Sequence, residues 1–466
     1  MKPRRPGPTK GTPVQNARPL IVGLDIGSTV VKAAVFDRRG RTLATSARAV
    51  RISLPAPGRV ERDPEATWRA VAAALRKVAA IAGRGDRIAA VGVTGCGNGA
   101  VWLDTAGRAI GPGILASDTR AAAFTCPREY PGQTAVLLRW LRAEQPRLAR
   151  RVSRVAFWKD FVRLRLTGQF CTEPTDLGAA GWGARSTEPL LPPRVASLAI
   201  AGHVTPAAAR ATGLRAGTPV VAGCIDCEAA AIGSGVSAPG ALSLVAGTWS
   251  INQCFVPAPP SAAKARGLFL VNPSAMPGRS LVLEASPDSA GHFDWFVRAV
   301  RGRGDFARLA RIASACAADG PVFVPGLFGR GAVFAGLRPH HDLAAMARAV
   351  MQGVVFAHRA HVEKLRAAGL RFRRARLAGG ATRSDFWCQL FADTLGLPVE
   401  VPAGDEIGAL GAALCAGVGV GVWPNLRAAQ KATVRVARAF KPDSARAAEF
   451  SSAYRHFLRI RTQFPS

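Results

Sequence analysis

LIVGLDIGSTVVKAAVFD, residues 20–37, sets two apolar runs about a short polar tip. Leu20 to Leu24 reads as a buried strand ending on Asp25. Gly27-Ser28-Thr29 makes the turn and Val30 onward returns, so the pattern predicts a β-hairpin. Asp25 then ends a buried strand beside backbone N–H groups and two hydroxyls, with Lys32 close behind. Such a tip suits phosphate oxygens, and its carboxylate suits Mg²⁺, directly or through water. Any Asp-Gly hairpin looks similar, so this stretch by itself favours a plain turn.

The pattern recurs. ALSLVAGTWSINQCF, residues 241–255, repeats strand, Gly247-Thr248 turn and strand, which predicts a second domain of related design. Two phosphate-facing hairpins, one per domain, can grip a nucleotide across a cleft. Between them, Asp63 and Pro64 open a helix carrying Trp68, Val71, Leu75 and Val78 at three-and-four spacing. RIAAVGVTG, residues 87–95, is a strand that delivers the glycine-rich turn Gly95–Gly99. LLRWLRAEQPRLARRV (137–152) and WKDFVRLRLTG (158–168) each have the pattern of an amphipathic helix. TPVVAGCIDCEAAAIGSG (218–235) passes from strand to small-residue helix with Asp226 at the junction.

Farther on, Asp342 caps a long core helix that stops at Gly369. The strand ARLAGG follows, and Ser384 can cap the helix DFWCQLFADTLG. Strand, Gly379-Gly380 turn and helix N-terminus make an anion-binding geometry. Alternating strands and helices predict an α/β architecture. The expected organisation is a disordered basic leader at 1–18, a first domain at 19–235, a second at 236–440 and a helical tail at 441–466.

The 466 residues are 48% apolar and 20% charged, which excludes a disordered or collagen-like chain. Apolar runs are all cut well short of the roughly 18 residues a membrane span requires. Lys and Arg number 62 against 30 Asp and Glu, a formal charge of +32. The Arg residues are spread along the chain rather than gathered with aromatics, so a solvated basic surface is favoured over a nucleic-acid partner. Nine scattered cysteines, an odd count, point to a reducing compartment and the cytoplasm. Cys224 and Cys227 form one CxxC without a second pair, so a metal or redox role is disfavoured.

Asp226 is the strongest candidate acid or base, because a carboxylate amid Cys, Ala and Gly is costly to bury unless paired or used. A helix cap is the equal alternative from local sequence. Asp118, in ASDTR, is as readily a salt-bridged loop carboxylate with Arg120 as a ligand contact. His358 and His361 lie one turn apart without HExxH, and read as packed histidines. No GxxxxGK[ST] occurs, which disfavours a Walker-type site.

Together, residues 24–37, 222–235, 246–250 and 377–417 (LAGGATRSDFWCQLFADTLGLPVEVPAGDEIGALGAALCAG) resemble the FGGY carbohydrate kinases. LLRWLRAEQP, LVAGTWSINQ, HFDWFV and MQGVVFAH look most like the L-xylulose kinase branch. The resemblance implies two actin-like (ribonuclease H-like) domains of the sugar kinase, Hsp70 and actin superfamily flanking a central cleft. It implies ATP and Mg²⁺ with a sugar or polyol as partners, and leaves room for a homodimer. Carried over by position, Asp226 would be the general base, touching sugar and metal. Asp25 would hold Mg²⁺, with Ser28, Thr29, Lys32, Gly247 and Thr248 about the phosphates. Gly379, Gly380 and Ser384 would line the nucleotide pocket, and Gly97, Asn98 and Asp118 would meet sugar hydroxyls.

The implied reaction is ATP-dependent phosphorylation of a ketopentose such as L-xylulose. Three departures touch sugar recognition: Cys96 in place of Gln, a shorter stretch at 121–133, and Gly178 after Thr175-Asp176. They keep open another pentulose, a tetritol or a keto-gulonate type of sugar acid. A non-catalytic binding protein or a plain ATPase on the same fold are the rivals from other classes.

Overall fold

The structure, a computed structural model, describes residues 19–464 except 82–86, 128, 184–185, 301, 303–304, 317–319 and 328–330. The expected leader at 1–18 lies outside the described residues. Two mixed sheets organise the chain. The first contains β1 (Leu20–Ile26), β2 (Val30–Phe36), β3 (Thr42–Ala49), β4 (Ile88–Gly95), β5 (Ile200–His203) and β6 (Pro219–Val221), in the order β5-β6-β4-β1-β2-β3. The second contains β7 (Ala241–Ala246), β8 (Ser250–Val256), β9 (Leu270–Pro273), β10 (Ser280–Ser286), β11 (Arg374–Gly379), β12 (Val399–Pro402) and β13 (Val436–Phe440), in the order β9-β10-β8-β7-β11-β12-β13.

The two share a pattern. β1 is antiparallel to β2, which is antiparallel to β3, while β1, β4 and β6 run parallel. β7, β8 and β10 form the same antiparallel meander, with β7, β11 and β12 parallel. The hairpin repeat visible in sequence is thus a repeat of whole-sheet topology.

β1 and β4 read as continuous apolar runs because both faces of the sheet are covered. On one face Val22, Leu24, Val91 and Val93 join Val71, Leu75 and Val78 of α1 (Pro64–Ile81). Leu75 is fully buried there, and its truncation to Ala costs about 2–5 kcal/mol. On the other face Ile21, Ala34 and Ala90 meet Ala409, Ala413 and Ala416 of a helix near the C-terminus, residues Ile407–Gly419. That helix sits with its backbone on the strands: a β-carbon at Gly23 would overlap the Ala409 carbonyl, and one at Gly92 the Ala412 carbonyl.

The remaining helices used below are α2 (Thr134–Glu144), α3 (Trp158–Thr167), α4 (Pro174–Ala179), α5 (Asp226–Gly233), α6 (Leu343–Ala367), α7 (Asp385–Leu395), α8 (Ile407–Gly419) and α9 (Ala447–Gln463). Asp342 and Ser384 cap α6 and α7, accepting from Ala345 N at 3.0 Å and Trp387 N at 3.3 Å. One expectation needs correction. The segment 137–152 is not one helix: α2 ends at Glu144 and a separate turn, Pro146–Ala149, follows. Pro146 lacks the N–H that would continue the ladder, and its ring starts a new helix at the first position instead.

Among the described residues, no helix is long and apolar enough to cross a membrane.

Candidate active site

The first group of candidate residues gathers at the C-terminal ends of the parallel strands, where open α/β sheets place their ligands. Register puts Asp25 beside Thr94 and Ile26 beside Gly95, and Gly95 bridges to Ile225. Asp25, Cys96 and Asp226 therefore emerge side by side. Thr94 Oγ1 donates to the Cys224 carbonyl at 2.6 Å, and Thr175 Oγ1 accepts from Ile225 N at 2.9 Å, fixing the chain just before Asp226.

The cap alternative for Asp226 is not what the structure holds. Ile225 occupies the N-cap, and the Asp226 carboxylate accepts from the adjacent Cys227 N at 2.7 Å. Burial pushes its carboxyl up to about 7, helped by the negative charge of Asp25 and, farther off, Asp176. Burial likewise raises Asp25 to about 6, with Lys32 opposing and Glu406 adding to the rise. Both carboxylates are half-buried, and the charge of Asp25 adds to the rise of Asp226.

The hairpin tip carries exposed Ser28 and Thr29. Lys32 forms an ion pair with Glu406 Oε2 at 3.1 Å, so its ammonium is held next to Asp25 by a residue the sequence reading did not single out. Arg62 was missed as well. Its buried guanidinium lies 3.8 Å from the Trp158 ring centroid and donates through Nη1 to the carbonyls of Gly27 at 2.6 Å and Ser28 at 3.0 Å, bracing the tip from beneath. The signal for it was a basic residue set between Glu61 and Asp63 directly before a helix start. Cys96 stands within the charged cluster, and burial pushes its thiol up to about 11.

Behind Asp226 lies a buried ionic cluster. Lys159 Nζ contacts Asp160 Oδ1 at 3.2 Å, Glu173 Oε1 at 3.2 Å and Asp176 Oδ2 at 2.8 Å. Burial pushes Asp176 up to about 7, against the pull of Lys159. A β-carbon on Gly97 would sit 3.8 Å from Asp176 Oδ1, so the glycine-rich turn runs directly over this carboxyl.

Two expected sugar contacts have internal partners. Asn98, at φ 62°, accepts from Thr134 N at 3.3 Å and donates to the Ala179 carbonyl at 3.3 Å, joining α2 to the end of α4. Asp118 is buried and accepts from Val60 N at 2.6 Å, Arg120 N and Nε at 2.9 Å, and Arg120 Nη2 at 2.8 Å. The salt-bridged reading of Asp118 is the one its neighbours satisfy.

The second group lies at the matching end of the second sheet. β7 pairs with β11 so that Ala246 opposes Gly379, which sets the Gly247-Thr248 and Gly379-Gly380 turns side by side. Gly291 N donates to the Gly247 carbonyl at 3.2 Å, and Thr248 is exposed. A 3₁₀ turn, Gly380–Arg383, separates the glycine pair from α7, so Ser384 is one turn farther along than a direct strand-to-helix junction would put it. The groups are tied across the halves by Gln253 Nε2 donating to the Cys227 carbonyl at 2.5 Å and by an aromatic chain. Tyr130 stacks on Phe269 at 6.1 Å, and Phe269 meets Trp249 edge-on at 6.4 Å.

The two histidines pack against one asparagine. His358 Nδ1 lies 2.9 Å from Asn252 Oδ1 and His361 Nδ1 2.9 Å from Asn252 Nδ2, both buried. Cys224 and Cys227 are free thiols, and among the described residues no group of His, Cys, Asp or Glu forms a metal cluster.

Residues 20–184 match the N-terminal domain, and residues 242–420 the C-terminal domain, of the FGGY family of carbohydrate kinases. An L-xylulose/3-keto-L-gulonate kinase of Escherichia coli is 31% identical over 94% of this chain and 96% of its own. A probable L-xylulose kinase of Pasteurella multocida is 30% identical over 95% and 98%. Among solved structures, a xylulose kinase from Rhodospirillum rubrum superposes with a TM-score of 0.83 at 26% identity, covering 95% of this chain and 98% of the other. The repeated sheet, the converging strand ends and these matches agree: the chain is an ATP-dependent sugar kinase and belongs to the FGGY family of carbohydrate kinases.

Proposed function

We propose that this chain transfers the γ-phosphoryl group of ATP to a hydroxyl of a ketopentose such as L-xylulose, with Asp226 as general base. The observation that carries the reading is the pair Asp25 and Asp226, raised to about 6 and about 7 at the ends of adjacent strand paths. Asp226 takes the proton from the sugar hydroxyl as its oxygen bonds the γ-phosphorus and the bond to the ADP oxygen breaks. Phosphoryl transfer through a loose transition state asks mainly for positioning and charge neutralisation. Ser28, Thr29 and Lys32 supply that from one hairpin, Gly247 and Thr248 from the other. Gly379, Gly380 and Ser384 line the nucleotide side, with the division between domains at 235/236.

The donor set fits Mg²⁺. Among the described residues Asp226 has no ion-pair partner, and the missing side chain at Gly408 leaves a cradle against Asp25, where a β-carbon would come within 2.6 Å of Oδ2. Asp25 and Asp226 would hold the ion, which when bound neutralises phosphate charge. Gly97, Asn98 and Asp118 shape the sugar side, the latter two through the contacts that order their loops.

A sugar acid is the second reading, favoured by the 3-keto-L-gulonate in the name of the Escherichia coli relative. Coupled ADP release over pentuloses, hexuloses, tetritols and sugar acids separates the two. Turnover indifferent to every acceptor would reject the kinase reading in favour of an ATPase.

A further inference from the structure

A cavity of about 520 Å³ opens between α6, α9 and the strand Val322–Val324, and none of its lining residues belongs to either group described above. Its walls are regular elements. α9 presents His456 and Arg459, three residues apart and so on one face, while α6 presents Gln352 from the opposite side. Arg338 and His341 close the rim.

Hydrogen bonding fixes what these groups offer. The backbone N–H of Arg338 donates to His341 Nδ1 at 3.0 Å, and Arg459 Nη2 lies 3.3 Å from His456 Nδ1. An amide and a guanidinium can only donate, so both Nδ1 atoms accept and each neutral ring carries its hydrogen on Nε2. The rim therefore holds two guanidinium groups and two imidazole N–H donors. Among the described residues no carboxylate lines the cavity, and neither Arg338 nor Arg459 has an ion-pair partner.

We propose that this cavity binds a small phosphate-bearing anion, its phosphate held by Arg338 and Arg459. Two guanidinium groups and two imidazole N–H donors, with no carboxylate among the described lining residues, suit an oxygen-rich dianion, and planar guanidinium groups suit phosphate in particular. The volume has room for a sugar-sized body beside the phosphate. The ligand source is then either free phosphate or a sugar phosphate.

Calorimetric titration of the full chain with inorganic phosphate, ribose 5-phosphate and sulfate tests this, in wild type and in the R338Q/R459Q variant. Both side chains are exposed, so the variant should keep its melting temperature and its sugar-dependent ADP release. The expected result is binding of phosphate or ribose 5-phosphate that weakens by about tenfold or more in the double variant. Preference for ribose 5-phosphate assigns the site to a phosphorylated sugar, and equal binding of it and phosphate, both above sulfate, to the phosphate alone. Gln352→Leu, on the wall, should weaken ribose 5-phosphate more than phosphate if the sugar body enters. No binding, equal binding of all three anions, or binding untouched by R338Q/R459Q overturns the proposal.

Discussion

A β-carbon placed on Gly408 would lie 2.6 Å from Oδ2 of Asp25, so the first turn of α8 is pressed against the carboxylate that ends β1. The helix approaches this closely because Gly23 and Gly92 let its backbone rest on the sheet. Gly408→Ala must displace Asp25 or tilt α8. A displacement on the order of 1 Å at a reacting centre can cost roughly 10²-fold. We expect kcat to fall by about that factor with the melting temperature nearly kept, read by steady-state kinetics alongside thermal unfolding.

Asp226 must be ionised to accept a proton. With its carboxyl near 7 and Asp25 near 6, kcat/KM should rise with pH, level off above about 7, and steepen below about 6 where both are protonated. Asp226→Ala should lower turnover by roughly 10² to 10⁴ and flatten the profile near 7 while ATP still binds. Turnover close to wild type would remove Asp226 from the role of base.

The exposed hydroxyls of Thr29 and Thr248 sit on the two hairpin tips. Valine at either position should raise the KM for ATP by about tenfold and leave that for sugar within about twofold. Separate titrations of the two substrates decide it, and the reverse pattern would exchange the walls of the cleft.

Gly178 lies so near Asn272 that a β-carbon there would overlap the Asn272 carboxamide oxygen, while Asn272 Nδ2 donates to the Thr175 carbonyl at 2.7 Å. Gly178→Ser should destabilise the fold by about 1–3 kcal/mol, and adding Asn272→Ala should recover part of that loss. Denaturant unfolding of the four proteins in the cycle measures the coupling; strict additivity would show that the two do not share the space.

Glu228 is buried, accepts from Ser274 Oγ at 2.6 Å and Ala275 N at 2.8 Å, and is pushed up to about 8, mainly by burial. A folded-state value above the unfolded one means that the linked stability is complete below about 4.5 and is lost as pH rises through about 8. Glu228→Gln should therefore gain on wild type as pH climbs, reaching on the order of 5 kcal/mol at pH 9, with the difference vanishing near pH 4. Unfolding free energies across that range test the sign.

Local pattern was enough for the elements themselves. The hairpin at 20–37, its echo at 241–255, the capped helices and Asp226 at a strand-to-helix junction all follow from apolar spacing, Gly turns and side-chain caps, which act within a few residues. The α/β architecture was legible for the same reason, and the family through the resemblance of residues 24–37, 222–235, 246–250 and 377–417 to its known members. Pro146 shows the limit within one segment: amphipathic spacing continues across it, but its missing N–H divides the helix.

The partners of the charged residues were a different matter. Glu406 reaching Lys32, Gly408 against Asp25 and Arg62 beneath the hairpin tip each join positions distant in the chain. Sequence by itself determined which residues lie at strand ends and turns, because backbone periodicity is local. Only the tertiary structure decided which carboxylates stay uncapped and which are spent on an arginine, because burial and pairing depend on what the rest of the chain brings alongside.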